Sequence, residues 1–264
     1  MTRKKLVLLD MDGTIYLGDH LFEGVKETFE YFKASDIQFV FLTNNSSHDL
    51  EFYEAKIKRM GIECNTDNFY SSIEVSIEEL KAKNAKRIFV LGNKCLKDKL
   101  KNHFEIIANY DKNEKIDAVV CGFNTELVYE DLKNACLYLE TTDCDFYATN
   151  GDYRCPIEDG LYIPDCGGMI EWMRLCTNKK ATVLGKPSPT IVYQLLEKFN
   201  VSKEETICVG DRLYTDILVG INAKIDSVCV LTGESTLEDI NNYEYKPTYI
   251  LDSIKDLPEL LEKI

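Results

Sequence analysis

Apolar and polar positions along the chain fall into blocks that alternate between strand length and helical period. "LVLL", Leu6–Leu9, is a continuous apolar run of strand length. "EGVKETFEYFKAS" follows with Val25, Phe29 and Phe32 at helical spacing, and "IQFVFL" is a second buried-strand pattern. "LEFYEAKIKRMG" reads as a helix that Gly61 stops. "RIFVLG", "DAVVCG" and "DFYATN" predict further strands, with helices at "YEDLKNACLYLE" and "GGMIEWMRLC". "SPTIVYQLLEKF" and "YTDILVGINA" predict helices, "TICVG", "SVCVL" and "TYIL" predict strands, and a last helix falls near "SIKDLPELLEKI". Such alternation favours an α/β fold, a Rossmann-like doubly wound and largely parallel sheet with helices on both faces.

Composition narrows the function classes. A chain of 264 residues holds one large domain or two ordinary ones. Its net charge of -14 argues against a nucleic-acid surface, which needs a basic stripe. A small phosphorylated ligand stays open, provided a local cation or a metal offsets the protein's own field. No apolar run approaches the roughly 18 residues of a membrane span. The apolar part of "MTRKKLVLLD" is too short for a signal peptide. Ten cysteines, scattered and without a CxxC pair, read as reduced thiols, and the three histidines show no ligand spacing. The expectation is a cytoplasmic protein with neither nucleic-acid nor membrane partners, compatible with a homodimer.

Three apolar strands end in polar loops: "LVLL-DMDGT", "FVFL-TNNSS" and "ICVG-DRLYTD". Ligands bind outside the carboxyl ends of strands in open parallel sheets, so these loops can meet around one crevice. "LGKPSP", just before a helix, is a fourth candidate. Asp10 and Asp12 are two positions apart, and in extended chain their side chains point the same way. Asp10 would act as nucleophile on phosphorus, giving an aspartyl-phosphate, and Asp12 as acid and then base. Gly13 would let the chain turn sharply beside them. The plainer reading of both aspartates is that they begin the next helix. Thr43 offers a hydroxyl and nearby N–H groups to a phosphoryl oxygen, and Lys186 a point charge, although a lone lysine before a helix is often merely solvated. Asp211 suits a hard cation such as Mg²⁺. Asp216 would orient waters or Lys186, or else be an early-helix residue favoured by the dipole.

Together "DMDGT", "LTNNS", "GKPSP" and "GDRLYTD" resemble, in order, the four motifs of the haloacid dehalogenase-like hydrolase superfamily. "DMDGTIYLG" with "TNNSS" is similar to its NagD-type, 4-nitrophenylphosphatase-like branch, subfamily IIA. The resemblance implies Asp10 as nucleophile and Asp12 as acid/base, with Thr43, Asn44 and Lys186 holding the phosphoryl group. It implies Mg²⁺ on the Asp10 side chain, the Asp12 carbonyl and Asp211, supported by Asp216. The implied activity is hydrolysis of small phosphomonoesters such as nucleoside monophosphates, sugar phosphates or 4-nitrophenyl phosphate. A phosphoryl transferase with the same site is the nearest alternative. A phosphometabolite-binding regulator with slow turnover would have no need of Asp12.

Spacing points to an insertion. Roughly 30 residues separate Thr14 from Thr43, but roughly 140 separate Asn45 from Lys186, far more than one crossover requires. The expected division is a catalytic core at 1–75 and 178–264 and an inserted α/β cap at 76–177. "ATNGDYRCPIEDGLYIPDCGGMIEW" resembles the branch's substrate-facing cap segment, with Gly151 where relatives often carry proline. Asn150, Asp152 and Arg154 are its candidate substrate contacts. Gly167 and Gly168 open a helix whose N–H groups could bind an anion. Trp172, at helical spacing with Met169 and Cys176, is expected in the core.

Overall fold

A computed structural model describes residues 2–156 and 161–264. The chain divides into two compact units. The first comprises the residues up to Thr43, Leu50–Tyr70 and Lys186–Ile264; the second comprises Asn44–Asp49 and Ser71–Gly185.

The first unit is built on a six-stranded sheet in the order Tyr249–Leu251, Asp226–Val230, Thr206–Gly210, Leu6–Leu9, Gln38–Thr43, Phe69–Ser71. The four pairings from Tyr249–Leu251 across to Gln38–Thr43 are parallel. Leu6 stands opposite both Thr206 and Gln38, and Leu9 opposite both Val209 and Phe41. Leu6–Leu9 is wholly buried, as a strand covered by helices on both faces must be. The chain leaves this strand toward Gln38–Thr43 and returns on its other side as Thr206–Gly210. Strand order therefore reverses at Leu6–Leu9, the switch point where ligands of such sheets bind. Helix Val25–Ala34 packs its aromatic stripe on the neighbouring strand, with Phe29 edge-on to Phe39 at 4.7 Å between centroids. "YTDILVGINA" begins with one π-helical turn, Leu213–Ile217, before the α-helix Leu218–Ala223. Single π turns often sit at functional positions.

The second unit has its own parallel sheet, ordered Thr182–Val183, Asp145–Ala148, Ala118–Cys121, Arg87–Leu91, Glu105–Ile107. A two-stranded antiparallel ribbon pairs Arg154–Pro156 with Tyr162–Pro164. Positions 157–160 of the loop singled out above lie outside the described residues. Helix Ser72–Ala82, which hydrophobic period alone does not single out, carries a capping box: the Ser71 side chain accepts from Ile73 N–H, and Glu74 reaches back to Ser71 N–H.

The expectation for Trp172 is corrected here. Helix Cys166–Thr177 buries Cys166, Met169, Met173 and Thr177, whereas Trp172 is 55% exposed and Cys176 is also exposed. The buried stripe runs one position away from the Met169–Trp172–Cys176 line, because Gly167, Met173 and Thr177 fill the inward face. All ten cysteines are free thiols. No described helix is long and apolar enough to cross a membrane.

Candidate active site

Each catalytic candidate of the first unit follows a strand. Asp10 continues Leu6–Leu9, its N–H still bonded to Val209 O at 2.9 Å. Thr43 ends the neighbouring strand Gln38–Thr43 and is buried. Asp211 follows Thr206–Gly210 on the other side, and Asp216 lies in the π turn after it. Parallel register therefore carries three loops, remote in sequence, to one end of one sheet.

Lys186 ties them together. Its Nζ donates to Asp10 Oδ1 and Asp216 Oδ1, both at 2.6 Å, and lies 3.4 Å from Leu42 O. Lysine and Asp216 are almost wholly buried, and Asp10 nearly so. Asp216 Oδ2 accepts from Arg212 N–H at 3.1 Å, and Asp211 Oδ2 accepts from Glu234 N–H at 2.7 Å. Carboxylate oxygens of Asp10, Asp211 and Asp216 lie within 4.8 Å of one another.

Glycines set how closely these groups approach. Gly13 has φ +86, the left-handed region that favours glycine, and a Cβ there would run into the Asp211 carboxylate. A Cβ on Gly233 would overlap the same carboxylate. Thr232 Oγ1 donates to Gly13 O at 2.7 Å, tying the loop after Asp226–Val230 to the loop after Leu6–Leu9.

The site carries an excess of negative charge: the carboxylates of Asp10, Asp211 and Asp216 gather about Lys186, while Arg212 Nε pairs with Glu234 at 3.1 Å. Burial drives the Asp10 carboxyl well above the ordinary range, Asp216 and Asp211 add to this, and Lys186 and Arg212 oppose it. Asp211 is pushed up to about 6, by burial first and by Asp216 next, against the Glu234 hydrogen bond and the two cations. Burial works against the charge on Lys186, but Asp10 and Asp216 outweigh it and hold the ammonium more firmly protonated than usual. Hard oxygen donors, glycine-walled and with negative charge in excess, fit a divalent cation of the Mg²⁺ type.

Asp12 stands apart from this buried set, with its side chain 61% exposed. Its Oδ2 accepts from the Tyr16 hydroxyl at 3.2 Å, and Lys56 Nζ is 4.0 Å from Oδ1. Asn44, adjacent to Thr43, groups with the second unit, where its Nδ2 donates to Asp152 Oδ2 at 2.9 Å. Asn150 Nδ2 donates to the same Asp152 oxygen at 3.0 Å and to Asp165 Oδ1 at 3.1 Å. Arg154 stacks its guanidinium 4.1 Å from the Tyr162 ring centroid. The helix start imagined as an anion site is closed by the chain itself: Gly167 N–H donates to Asp152 O at 2.7 Å, and Gly168 N–H to Asp165 O at 3.1 Å.

Sequence reasoning passed over Arg212, Tyr16, Lys56 and the Gly233–Glu234 turn. Arg212 lies inside a motif already marked, and "TGES" follows an apolar strand as the other site loops do. Tyr16 and Lys56 gave no comparable signal.

A haloacid dehalogenase-like hydrolase family model matches residues 7–103, and a HAD-hydrolase-like model matches residues 183–257. Acid sugar phosphatase of Staphylococcus aureus is 32% identical over 265 residues, covering 100% of this chain and 99% of its own. The crystal structure of 4-nitrophenylphosphatase from Thermotoga maritima is 40% identical with a TM-score of 0.89, covering 97% of each chain. Glycerol phosphate phosphatase from Mycobacterium tuberculosis, solved in complex with magnesium, is 25% identical with a TM-score of 0.87; the match covers 97% of this chain and 77% of that one.

Proposed function

Because this chain belongs to the haloacid dehalogenase-like hydrolase family, we propose that it is a Mg²⁺-dependent phosphomonoester hydrolase. It acts on small phosphorylated metabolites through an aspartyl-phosphate on Asp10. Sugar phosphates and nucleoside monophosphates are the candidate substrates, with 4-nitrophenyl phosphate as an artificial one. Relatives named acid sugar phosphatase, 4-nitrophenylphosphatase and glycerol phosphate phosphatase support this range.

The observation that carries the reading is Lys186, its ammonium 2.6 Å from both Asp10 and Asp216. With Oδ1 of Asp10 held by that ammonium, the other oxygen is left to attack phosphorus. The new Asp10–phosphorus bond forms as the bond to the leaving oxygen breaks, and Asp12 gives that oxygen a proton. Water then attacks the phosphoenzyme, Asp12 takes its proton back, and the Asp10–phosphorus bond breaks to release inorganic phosphate. Thr43 and the neighbouring N–H groups bond phosphoryl oxygens, and Lys186 offsets their charge. Asn44 takes part through its backbone, since its side-chain amide is engaged by Asp152. The Asp10 and Asp211 carboxylates and the Asp12 carbonyl would hold Mg²⁺, with Asp216 in support; bound there, the ion neutralises charge on the phosphoryl group. Selection among substrates is assigned to the second unit as a cap, through Asn150, Asp152 and Arg154, because the core loops recognise only phosphoryl and metal.

Phosphate release from a panel of phosphorylated metabolites, with Mg²⁺ and with excess chelator, tests the proposal. Asp10→Asn should keep the fold and abolish turnover. Normal activity in that variant, or full activity in chelator, would overturn the mechanism.

A further inference from the structure

The loop bearing Asp10 and Asp12 folds back on itself as a hairpin, Tyr16–Leu17 against His20–Leu21. Met11 O accepts from Ile15 N–H at 2.8 Å, and Gly13 N–H donates to Tyr16 O at 2.9 Å. This tight return brings Tyr16, with no exposed surface, beneath the carboxylate of Asp12. The phenol donates to Asp12 Oδ2 at 3.2 Å. From helix Leu50–Arg59, Lys56 lays its Nζ 3.9 Å from the Tyr16 ring centroid and 4.0 Å from Asp12 Oδ1. Each carboxylate oxygen thus faces a different partner, one phenol and one ammonium. No other side chain among the described residues bonds the Asp12 carboxylate.

This arrangement is more than core filling. A phenylalanine would supply the same buried ring, so the hydroxyl is explained only by its bond to Asp12. The ammonium over the ring face is attracted by its quadrupole, and a chain of cation, phenol and carboxylate reinforces itself. Asp12, by contrast, is mostly exposed, and an aspartate left to solvent samples several rotamers. An acid must stand within about 3 Å of the oxygen it protonates, and a misplacement of about 1 Å can cost about 10²-fold in rate.

We propose that Tyr16 and Lys56 are positioning residues that hold the Asp12 carboxylate in the rotamer from which it serves the leaving oxygen and then water. The proposal rests on the acid/base role of Asp12 given above. Tyr16 and Lys56 contact the Asp12 side chain rather than the Asp10 or Asp211 carboxylates, and act through Asp12.

Leaving-group dependence separates this role from general support of the fold. The ratio kcat/KM reports the steps through phosphorylation of Asp10. A sugar phosphate needs its leaving oxygen protonated there, whereas 4-nitrophenolate departs without help. Tyr16→Phe and Lys56→Met should each lower kcat/KM for the best sugar phosphate about 10-fold, with less than about 2-fold change for 4-nitrophenyl phosphate. Added to Asp12→Asn, neither should cause further loss, because residues acting through one group are not additive. Equal losses on both substrates, no loss on either, or full additivity with Asp12→Asn would overturn the proposal. If Asp12→Asn alone shows the selective loss, positioning is wrong and the acid/base assignment stands. If Asp12→Asn spares the sugar phosphate, the assignment itself fails and the proposal with it. Lys56→Met keeps the unbranched stem, so it decides the matter should Tyr16→Phe fold poorly.

Discussion

Replacing Lys186 by methionine removes the ammonium while keeping an unbranched side chain of similar length. Asp10 and Asp216 then lose a cation only 2.6 Å from each. At an effective dielectric constant of 20, each contact is worth about 6 kcal/mol of Coulomb energy, before the desolvation of the ammonium is set against it. Breaking a buried pair by removing one member costs about 3–5 kcal/mol net. For a folded unit of this size, that lowers the thermal midpoint by roughly 6–20 °C. The assay is thermal unfolding in excess chelator at pH 7, followed by circular dichroism and repeated with Mg²⁺. A ligand that binds only the folded state stabilises it by mass action, so Mg²⁺ should restore part of the loss. Lys186→Met/Asp216→Asn, which removes one orphaned carboxylate along with the ammonium, should be more stable in chelator than Lys186→Met alone. A midpoint within about 2 °C of the unmodified protein would refute the buried-pair reasoning, since that is less than 1 kcal/mol. So would a double variant no better than the single one.

Two further outcomes are expected. Asp211 has a folded pKa of about 6, above its ordinary value, so the stability it contributes is present at low pH and lost as pH rises through about 6. Asp211→Asn should therefore stabilise the chelated protein at pH 7 but not at pH 4, by about 2–3 kcal/mol between the two; a pH-independent difference in melting between variant and parent would contradict this. Asp152→Ala removes the acceptor shared by Asn44 and Asn150, and should reorder catalytic efficiencies across the metabolite panel while changing 4-nitrophenyl phosphate hydrolysis much less. An unchanged ranking would show that this network does not govern selection.

Much of the first unit is legible in the sequence. Leu6–Leu9, Gln38–Thr43 and Thr206–Gly210 announce themselves because strands buried on both faces must be continuously apolar. The loops after them stood out because a polar cluster directly after such a run needs a reason to be there. Helix Val25–Ala34 was equally clear, since three aromatic or aliphatic residues recur on one face. Short elements were not clear: Thr182–Val183 has two residues, and its place at a sheet edge depends on its pairing with Asp145–Ala148.

The sequence by itself determined which residue types stand at the ends of which strands, and the excess of acidic groups that calls for cations. These follow from local rules, period and burial, that act over a few residues. Tertiary structure alone decided which groups meet. Lys186 reaches Asp10 across 176 positions and Asp216 across 30, a convergence set by parallel register at the switch point. Tyr16 and Lys56 are ordinary in their own segments and acquire meaning only where hairpin and helix come together on Asp12. The phase of helix Cys166–Thr177 was likewise decided by packing: one residue turns a helix by about 100°, and small residues on several sides leave that choice to the surface it packs against. Exposed Trp172 records the outcome, because short-range pattern fixes the period of a helix more firmly than the direction it faces.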